Sequence, residues 1–237
     1  MLRELADLVM LQLKTTKAYI PAFLTISILN PIALVFVFGI ISMKEFTPYI
    51  IAGTVTFEIS TGIMTTVIRS IGYEKSNGRF SLMIASGIPK EIFAISIALS
   101  GGLLYILSIV FILLVGVYFL HLQVVSIPYL IVGVIASIFM ASMLGMALGL
   151  WIKNYSAAIQ YSSVISLILT FFAPVYFPIT LIPLPFRYLA YLEPTTYVSQ
   201  SVYNAFEGNP VSLLWGLGIV IIGVIFVIIT RYTIKNV

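Results

Sequence analysis

Six apolar stretches, each about 20 residues long or longer, most constrain how this chain can fold. They lie at roughly 18–42, 49–71, 91–120, 128–150, 156–176 and 211–232. A helix of about 20 apolar residues crosses the hydrocarbon core of a bilayer. Charged residues make up 8% of the chain, whereas soluble domains contain about 25%. We therefore predict an all-α membrane protein with six transmembrane helices, folded as one domain over residues 1–237.

The basic residues indicate how these spans are oriented. Six spans bring both termini to one side of the membrane, and of the twelve Lys and Arg residues only Lys44 and Arg187 then face the other side. An excess of Lys and Arg marks the cytoplasmic side. We expect a multi-pass protein of the cell membrane with both termini in the cytoplasm. The ten residues on that side are Arg3, Lys14, Lys17, Arg69, Lys75, Arg79, Lys90, Lys153, Arg231 and Lys235.

An amphipathic pattern precedes the first span. The apolar arc of this segment is made by Leu2, Leu5, Val9 and Leu13, and the opposite polar arc by Arg3, Glu4, Asp7 and Lys14. This pattern predicts an interfacial helix within residues 1–17 on the cytoplasmic side. The alternative is a cytoplasmic continuation of the first span. The segment has mixed charge and lacks a small-residue cleavage site after an apolar core, so it is not a secretory signal peptide.

One polar stripe runs along the second span. Thr54, Glu58, Thr61 and Thr65 are spaced at i, i+4, i+7 and i+11, which places them on one helix face. An ionised carboxylate near the bilayer centre costs on the order of 3 kcal/mol on insertion scales, so Glu58 should face protein or water. Two interpretations remain open. Glu58 lines a translocation path or contacts a cationic substrate group, or it is protonated and bonded to a neighbouring helix.

Milder polar faces occur in the first and fifth spans. Hydroxyl side chains can bond their own i−4 carbonyls, so they indicate a lumen only weakly. Taken with the second span, these faces predict a shared polar path through the bundle. Its members outside the second span are Ser27, Asn30, Ser162, Ser163, Ser166 and Thr170.

Small residues repeat along the fourth span. Ser137, Ala141, Gly145 and Gly149 recur every four residues, which makes a ridge over which another helix backbone can approach closely. We interpret this ridge as a packing seam.

The sequence lacks the motifs of common catalytic sites. It has no P-loop, no Gly-x-Ser-x-Gly and no His-Glu-x-x-His. His121 is the single histidine, and cysteine is absent, so neither a metal site nor an acid–base pair can be assembled. The scattered basic residues form no patch for nucleic acid. We expect no enzyme activity, and a function that consumes energy would need a separate ATPase.

A dense polar interruption separates the second and third spans. It begins with Tyr73-Glu-Lys-Ser-Asn-Gly-Arg-Phe80 and continues to Pro89. Its charges require water, so we expect this segment to contact a soluble partner. Gly78 permits a sharp turn, and Phe80, Met83 and Ile84 form a short apolar face that a solvent loop would not need.

This interruption resembles the coupling segment of the ABC-2 family, the membrane subunits of type-2 ABC exporters. The family's loop reads approximately Glu-Arg-x-x-Gly-Thr-Leu-Glu-x-Leu-Leu-x-Ser/Thr-Pro, and Arg79, Ser81 and Gly87 depart from it. The resemblance implies a cytoplasmic coupling helix within residues 72–90 that docks on the ATPase. The docking residues that it implies are Glu74, Lys75, Gly78, Arg79, Phe80, Met83 and Ile84.

A second resemblance lies between the fifth and sixth spans. The stretches Pro174-Val-Tyr-Phe-Pro-Ile-Thr-Leu-Ile-Pro183 and Tyr191-Leu-Glu-Pro-Thr-Thr-Tyr197 are similar to the family's outer segment, which forms short re-entrant helices. The prolines forbid one continuous helix across residues 174–206. A plain aromatic belt is the alternative interpretation. The implied outer-gate residues are Tyr176, Phe177, Pro178, Pro183, Pro194 and Tyr197.

These resemblances imply the permease subunit of an ATP-driven exporter. Two such subunits, identical or related, would pair with two ABC ATPase subunits that bind ATP and Mg²⁺, whereas this chain would bind no cofactor. The expected substrate is amphipathic or hydrophobic: a lipid, drug, peptide or glycan-linked lipid. Two alternatives are a substrate-capturing subunit of a nutrient uptake system and, with less support because paired catalytic groups are missing, a membrane-embedded enzyme.

Overall fold

The computed structural model describes residues 2–16, 20–41, 46–171, 173 and 175–235, and in this part of the chain every regular element is helical. A π-helical segment, Glu58–Ile63, joins α3 to α4, and a single 3₁₀ turn, Ile179–Leu181, precedes α9. The α-helices are α1 (Leu2–Thr16), α2 (Ile20–Ile41), α3 (Thr47–Phe57), α4 (Met64–Ser76), α5 (Arg79–Ala85), α6 (Lys90–Phe119), α7 (Ile127–Trp151), α8 (Tyr155–Phe171), α9 (Leu184–Leu192), α10 (Pro194–Phe206) and α11 (Val211–Lys235).

Within the described residues, four helices are long and apolar enough to cross a membrane. They are Thr47–Ser76, which runs continuously through α3, the π-helical segment and α4, together with Lys90–Phe119, Ile127–Trp151 and Val211–Tyr232. The predicted spans 18–42 and 156–176 fall on α2 and α8. Helix α8 has 17 residues, slightly fewer than the roughly 20 that a span needs. Parts of both predicted spans, and Lys17 and Lys44, lie outside the described residues, so six spans stay a prediction.

Helix α7 packs against α11, α4 and α10. A Cβ atom added to Gly145 would lie 2.9 Å from the carbonyl oxygen of Met64, and one added to Gly149 would lie 3.1 Å from Cβ of Ile71. Any larger side chain at these positions would push α7 away from α4. The predicted packing seam is therefore confirmed on the part of α7 that faces the second span.

The π-helical segment interrupts the second span at the depth of Glu58. Its wider turns depart from the 3.6-residue period that the polar stripe assumed. Gly62, inside this segment, permits close packing against α6, because an added Cβ would lie 2.6 Å from the ring of Tyr105. Segments of this kind often occur at functional sites, and this one carries the acidic residue of the predicted path.

Helix α1 packs against α6. Its buried residues are Leu8 and Gln12, whereas Leu5, Val9 and Leu13 of the predicted apolar arc are half-buried. The side of α1 that packs on α6 is therefore adjacent to the predicted apolar arc and does not coincide with it. The half-buried arc remains the face available to a membrane interface.

Candidate functional site

A cleft of about 510 Å³ opens between the second span, α6 and α8. Its walls combine hydroxyl, acidic, basic and apolar side chains, and the second span contributes more of them than any other element. The lining residues are Ser27, Phe57, Glu58, Thr61, Gly62, Thr65, Thr66, Arg69, Tyr105, Ser163, Ser166, Leu167 and Thr170.

Glu58 is buried at one end of this cleft and belongs to a network that joins three helices. The hydroxyl of Ser108 lies 3.0 Å from Oε1 of Glu58 and 2.7 Å from the carbonyl oxygen of Ser27. A hydroxyl has one proton to donate, so Ser108 cannot serve both acceptors at once. Both contacts are hydrogen bonds when the carboxyl group of Glu58 is protonated and donates to Ser108. This geometry favours the second interpretation of Glu58, a protonated side chain bonded to a neighbouring helix.

Arg69 lies at the other end of the cleft, eleven residues further along the second span. Its Nε donates to the hydroxyl of Ser162 at 3.0 Å, and its Nη2 donates to the hydroxyl of Ser163 at 3.2 Å. The side chain is half-buried. Among the described residues, the ion pairs include no carboxylate partner for Arg69.

The structure brings together most of the predicted polar path. Glu58, Thr61, Thr65, Ser166 and Thr170 line the cleft. Thr54 is fully buried one turn away and donates to the carbonyl of Ile50 at 2.8 Å. Ser162 is also buried, where it accepts from Arg69. The side chain of Asn30 lies outside the described residues.

The polar interruption contains a short helix at the predicted position. The second span ends at Ser76, Gly78 takes the left-handed conformation with φ of +71°, and the seven-residue helix α5 follows. The turn therefore uses glycine for its backbone freedom, as the sequence indicated.

The apolar residues of α5 divide between two sides. Phe80 is 7% exposed, and its ring packs against Phe93 of α6 with centroids 5.5 Å apart. Met83 and Ile84 are half-buried against the same core. The large apolar residue that α5 presents to solvent is Leu82, which is 69% exposed and lies between the exposed Ser81 and the half-buried Met83. The three residues predicted as a docking face thus hold α5 to the bundle in the isolated chain.

Lys75 joins the C-terminal end of the second span to the end of α7. Its Nζ donates to the carbonyl oxygens of Gly149 at 3.2 Å, Leu150 at 2.5 Å and Ile152 at 2.8 Å. A cation is stabilised at a helix C-terminus by the unpaired carbonyls and the helix dipole. The next residue, Ser76, accepts a hydrogen bond from the backbone N–H of Tyr155 at 2.8 Å, where α8 begins.

Glu74 and Arg79 form an ion pair within the same segment. Nη1 of Arg79 lies 3.2 Å from Oε1 of Glu74. The Glu74 side chain is 6% exposed, whereas that of Arg79 is 29% exposed. Of this pair, Arg79 is therefore the more accessible to a partner.

Prolines begin each short element of the outer segment. Pro178 precedes the 3₁₀ turn, Pro183 precedes α9, and Pro194 is the first residue of α10. Proline is favoured at helix starts because the backbone donor that it lacks has no intrahelical partner there. The prediction of several short elements instead of one helix is confirmed from residue 175 onward, while Pro174 lies outside the described residues.

The aromatic residues of the outer segment differ in their contacts. Tyr197 packs edge-on against Trp215 of α11, with centroids 5.3 Å apart. Tyr176 is half-buried and close to α3, since a Cβ added to Gly53 would lie 2.6 Å from its ring. Phe177 is exposed. Two of the predicted outer-gate aromatics are thus packed on the bundle, and one is free on its surface.

Glu193 is a buried acid that the sequence interpretation did not single out. It caps α10, because its Oε2 accepts from the backbone N–H groups of Thr195 at 3.0 Å and Thr196 at 3.2 Å, and from the Thr195 hydroxyl. Burial raises the pKa of its carboxyl group from 4.5 to about 7, and these hydrogen bonds oppose the rise. Acidic N-caps are common, so its position before Pro194 was a readable signal.

Three further residues of the candidate sites were missed. Arg69 was counted among cytoplasmic charges, although it continues the stripe of Glu58 and Thr65 by four more residues. Leu82 was passed over because the apolar face of α5 was expected to point outward. Ser108 gave no signal, since a lone serine in an apolar helix is common.

The chain matches the family described as ABC-2 family transporter protein over residues 42–232, and it belongs to that family. It is accordingly a membrane permease subunit of an ABC transporter, a class of subunit that is not itself catalytic. The match covers the second span, every lining residue of the cleft except Ser27, α5 and the outer segment. No curated protein matches the chain.

Proposed function

We propose that this permease exports an amphipathic or hydrophobic substrate from the cytoplasm and is driven by a separate ABC ATPase. The observation that carries the proposal is the continuity between α5 and the cleft. One helix, the second span, lines the cleft with Glu58 and Arg69, and α5 follows its inner end after the turn at Gly78. A force applied to α5 would therefore act on a wall of the cleft.

The proposed complex contains two permease subunits, identical or related, and two ATPase subunits that carry ATP and Mg²⁺. Each chain forms a single six-span domain in the cell membrane, with both termini in the cytoplasm. The outer helices α9 and α10 re-enter the membrane from outside and close the path. ATP binding must favour one conformation of the permease energetically, because a ligand with equal affinity for both shifts neither.

The proposed docking surface is the solvent side of α5, which includes Leu82 and Arg79. Leu82 is 69% exposed although it is a large apolar residue beside charged groups. An apolar anchor with a charged rim is a common interface pattern. Phe80, Met83 and Ile84 would then position α5 from inside.

Co-purification tests this docking. We expect an ABC ATPase in a neighbouring reading frame, and that ATPase is co-expressed with the permease. Leu82→Asp should abolish co-purification, because an aspartate would be buried without a partner at the interface. Leu184→Asp is the matched control, since Leu184 is 63% exposed on the outer segment. Equal recovery of the ATPase with both variants would refute the docking surface.

Cysteine labelling tests the orientation of the chain in the membrane. The chain has no native cysteine, so a single introduced cysteine can be labelled without background from the chain. Thr180→Cys in the outer segment should react with an impermeant maleimide in intact cells. Ser81→Cys in α5 should react only after the membrane is permeabilised. Both positions are exposed. Labelling of Ser81→Cys in intact cells would put α5 out of reach of a cytoplasmic ATPase and overturn the proposal.

A further inference from the structure

Among the residues that the structure describes, Arg69 faces the cleft without an acidic partner. A guanidinium has five N–H donors, and within the described residues Arg69 donates to the neutral hydroxyls of Ser162 and Ser163. Ion pairs in the described part of the chain include Glu74 with Arg79 but no pair at Arg69. Two hydroxyls orient the guanidinium, yet they do not neutralise its charge.

Arg69 lies within the second membrane span. Charged residues within membrane spans are costly and normally pair with a charge or face a functional cavity. An arginine near a span end can also extend toward the interface. Here the side chain instead reaches across to α8, where Ser162 and Ser163 hold two of its nitrogens at 3.0 and 3.2 Å. The guanidinium is therefore fixed at the wall of the cleft, ready to receive an acceptor.

From this arrangement we infer that the cleft binds the anionic head group of its substrate at Arg69. The ligand chemistry is a compact oxyanion such as a phosphate, which a guanidinium can bind through two parallel hydrogen bonds. This inference deepens the proposed function, on which it rests, by naming a charge that the transported amphiphile carries.

The other walls of the cleft suit the apolar part of such a molecule. Phe57 and Leu167 line it beside the polar groups. Leu167 lines the cleft and is also 59% exposed, so a hydrocarbon chain can leave the cleft over this residue toward lipid. An amphiphile therefore fits the walls better than a soluble anion does.

Equilibrium binding to the purified full-length chain tests the inference. The chain is kept in a detergent with a neutral head group and titrated with dihexanoyl-phosphatidylglycerol, with dihexanoylglycerol, which has the same acyl chains but no phosphate, or with glycerol 3-phosphate. We expect the anionic lipid to bind at least about tenfold more tightly than the uncharged lipid, because only the anionic lipid carries the oxyanion that Arg69 would bind. Arg69→Gln should remove this preference, whereas Arg69→Lys should retain part of it.

Lys153→Gln is the charge-matched control, because Lys153 is exposed at the turn between α7 and α8. It should keep the full preference. Equal affinity of the unmodified chain for the two lipids overturns the inference without any variant, and so does an unchanged preference in Arg69→Gln. Glycerol 3-phosphate competing as well as the anionic lipid would support the oxyanion site and identify a soluble anion as the ligand.

The lipid-binding assay contains no ATPase, so its result is independent of the co-purification test of the proposed function. Loss of ATPase co-purification with retained lipid preference would leave the Arg69 site standing. Normal co-purification without lipid preference would leave the transporter assignment standing and remove the Arg69 site.

Discussion

Nζ of Lys75 lies 2.5 Å from the carbonyl oxygen of Leu150, which fastens the C-terminal end of the second span to the end of α7. The residue that follows, Ser76, accepts from the N–H of Tyr155 at the start of α8. The end of the second span, the end of α7 and the start of α8 thus meet next to the turn at Gly78. A movement of α5 would be passed to α7 and α8 together with the second span.

Removing the Lys75 ammonium should destabilise the bundle at this junction. Lys75→Met keeps the length of the side chain but leaves three carbonyls without their donor, so we expect the free energy of unfolding to fall by about 2 kcal/mol. Thermal unfolding in detergent measures the change. Lys153→Met, at an exposed lysine nearby, should have little effect. Similar losses in both variants would mean that the contacts of Lys75 add nothing to stability.

Replacing Glu58 distinguishes its two interpretations. A glutamine amide can donate to Ser108 as a protonated carboxyl does, so Glu58→Gln should keep the melting temperature within about 2 °C. Ser108→Ala removes the hydroxyl that bridges Glu58 and the Ser27 carbonyl, and it should cost about 1–3 kcal/mol. If Glu58→Gln proves as damaging as Ser108→Ala, the carboxyl group is ionised in the native protein.

The two apolar residues of α5 should respond differently to truncation. Phe80→Ala removes a ring buried against Phe93, so it should reduce the free energy of unfolding by about 3 kcal/mol. Leu82→Ala acts on an exposed side chain and should change it by less than about 0.5 kcal/mol. Denaturation of the isolated chain measures both. A larger loss for Leu82 would contradict the observed orientation of α5.

The raised pKa of Glu193 predicts a pH dependence of stability. The folded chain holds a proton at Glu193 up to about pH 7, whereas the unfolded chain releases it near its usual value of 4.5. The contribution is therefore full below about pH 4.5 and is lost as the pH rises through about 7. Melting temperatures measured from pH 5 to 8 should fall more steeply for the unmodified chain than for Glu193→Gln. Parallel slopes would show that Glu193 does not titrate in this range.

The sequence predicted the long apolar helices well, because membrane thickness fixes their length and composition. It also predicted the turn at Gly78 and the division of residues 174–206 into short elements, because glycine permits backbone conformations that other residues avoid and proline interrupts a helix. These features depend on local chemistry or on the surrounding lipid and water, so they can be predicted without knowing which helices pack together.

Tertiary contacts were harder to foresee. Phe80 points inward because Phe93 of α6 lies opposite it, and no local pattern contains that information. The partners of Lys75 are likewise carbonyls about 75 residues further along the chain. The π-helical segment was not predicted, because the polar stripe was interpreted with 3.6 residues per turn along the whole second span.

The π-helical segment Glu58–Ile63 also sets the direction in which the later residues of the second span point around the helix axis. Deleting one residue there to restore a regular α-helix would rotate the downstream residues by about 100° around the helix axis. Arg69 would then swing away from α8, and Lys75 would no longer meet the end of α7. Substitutions within the segment would keep this rotation, whereas an insertion or deletion would change it. The number of residues in the segment therefore matters as much as their chemistry.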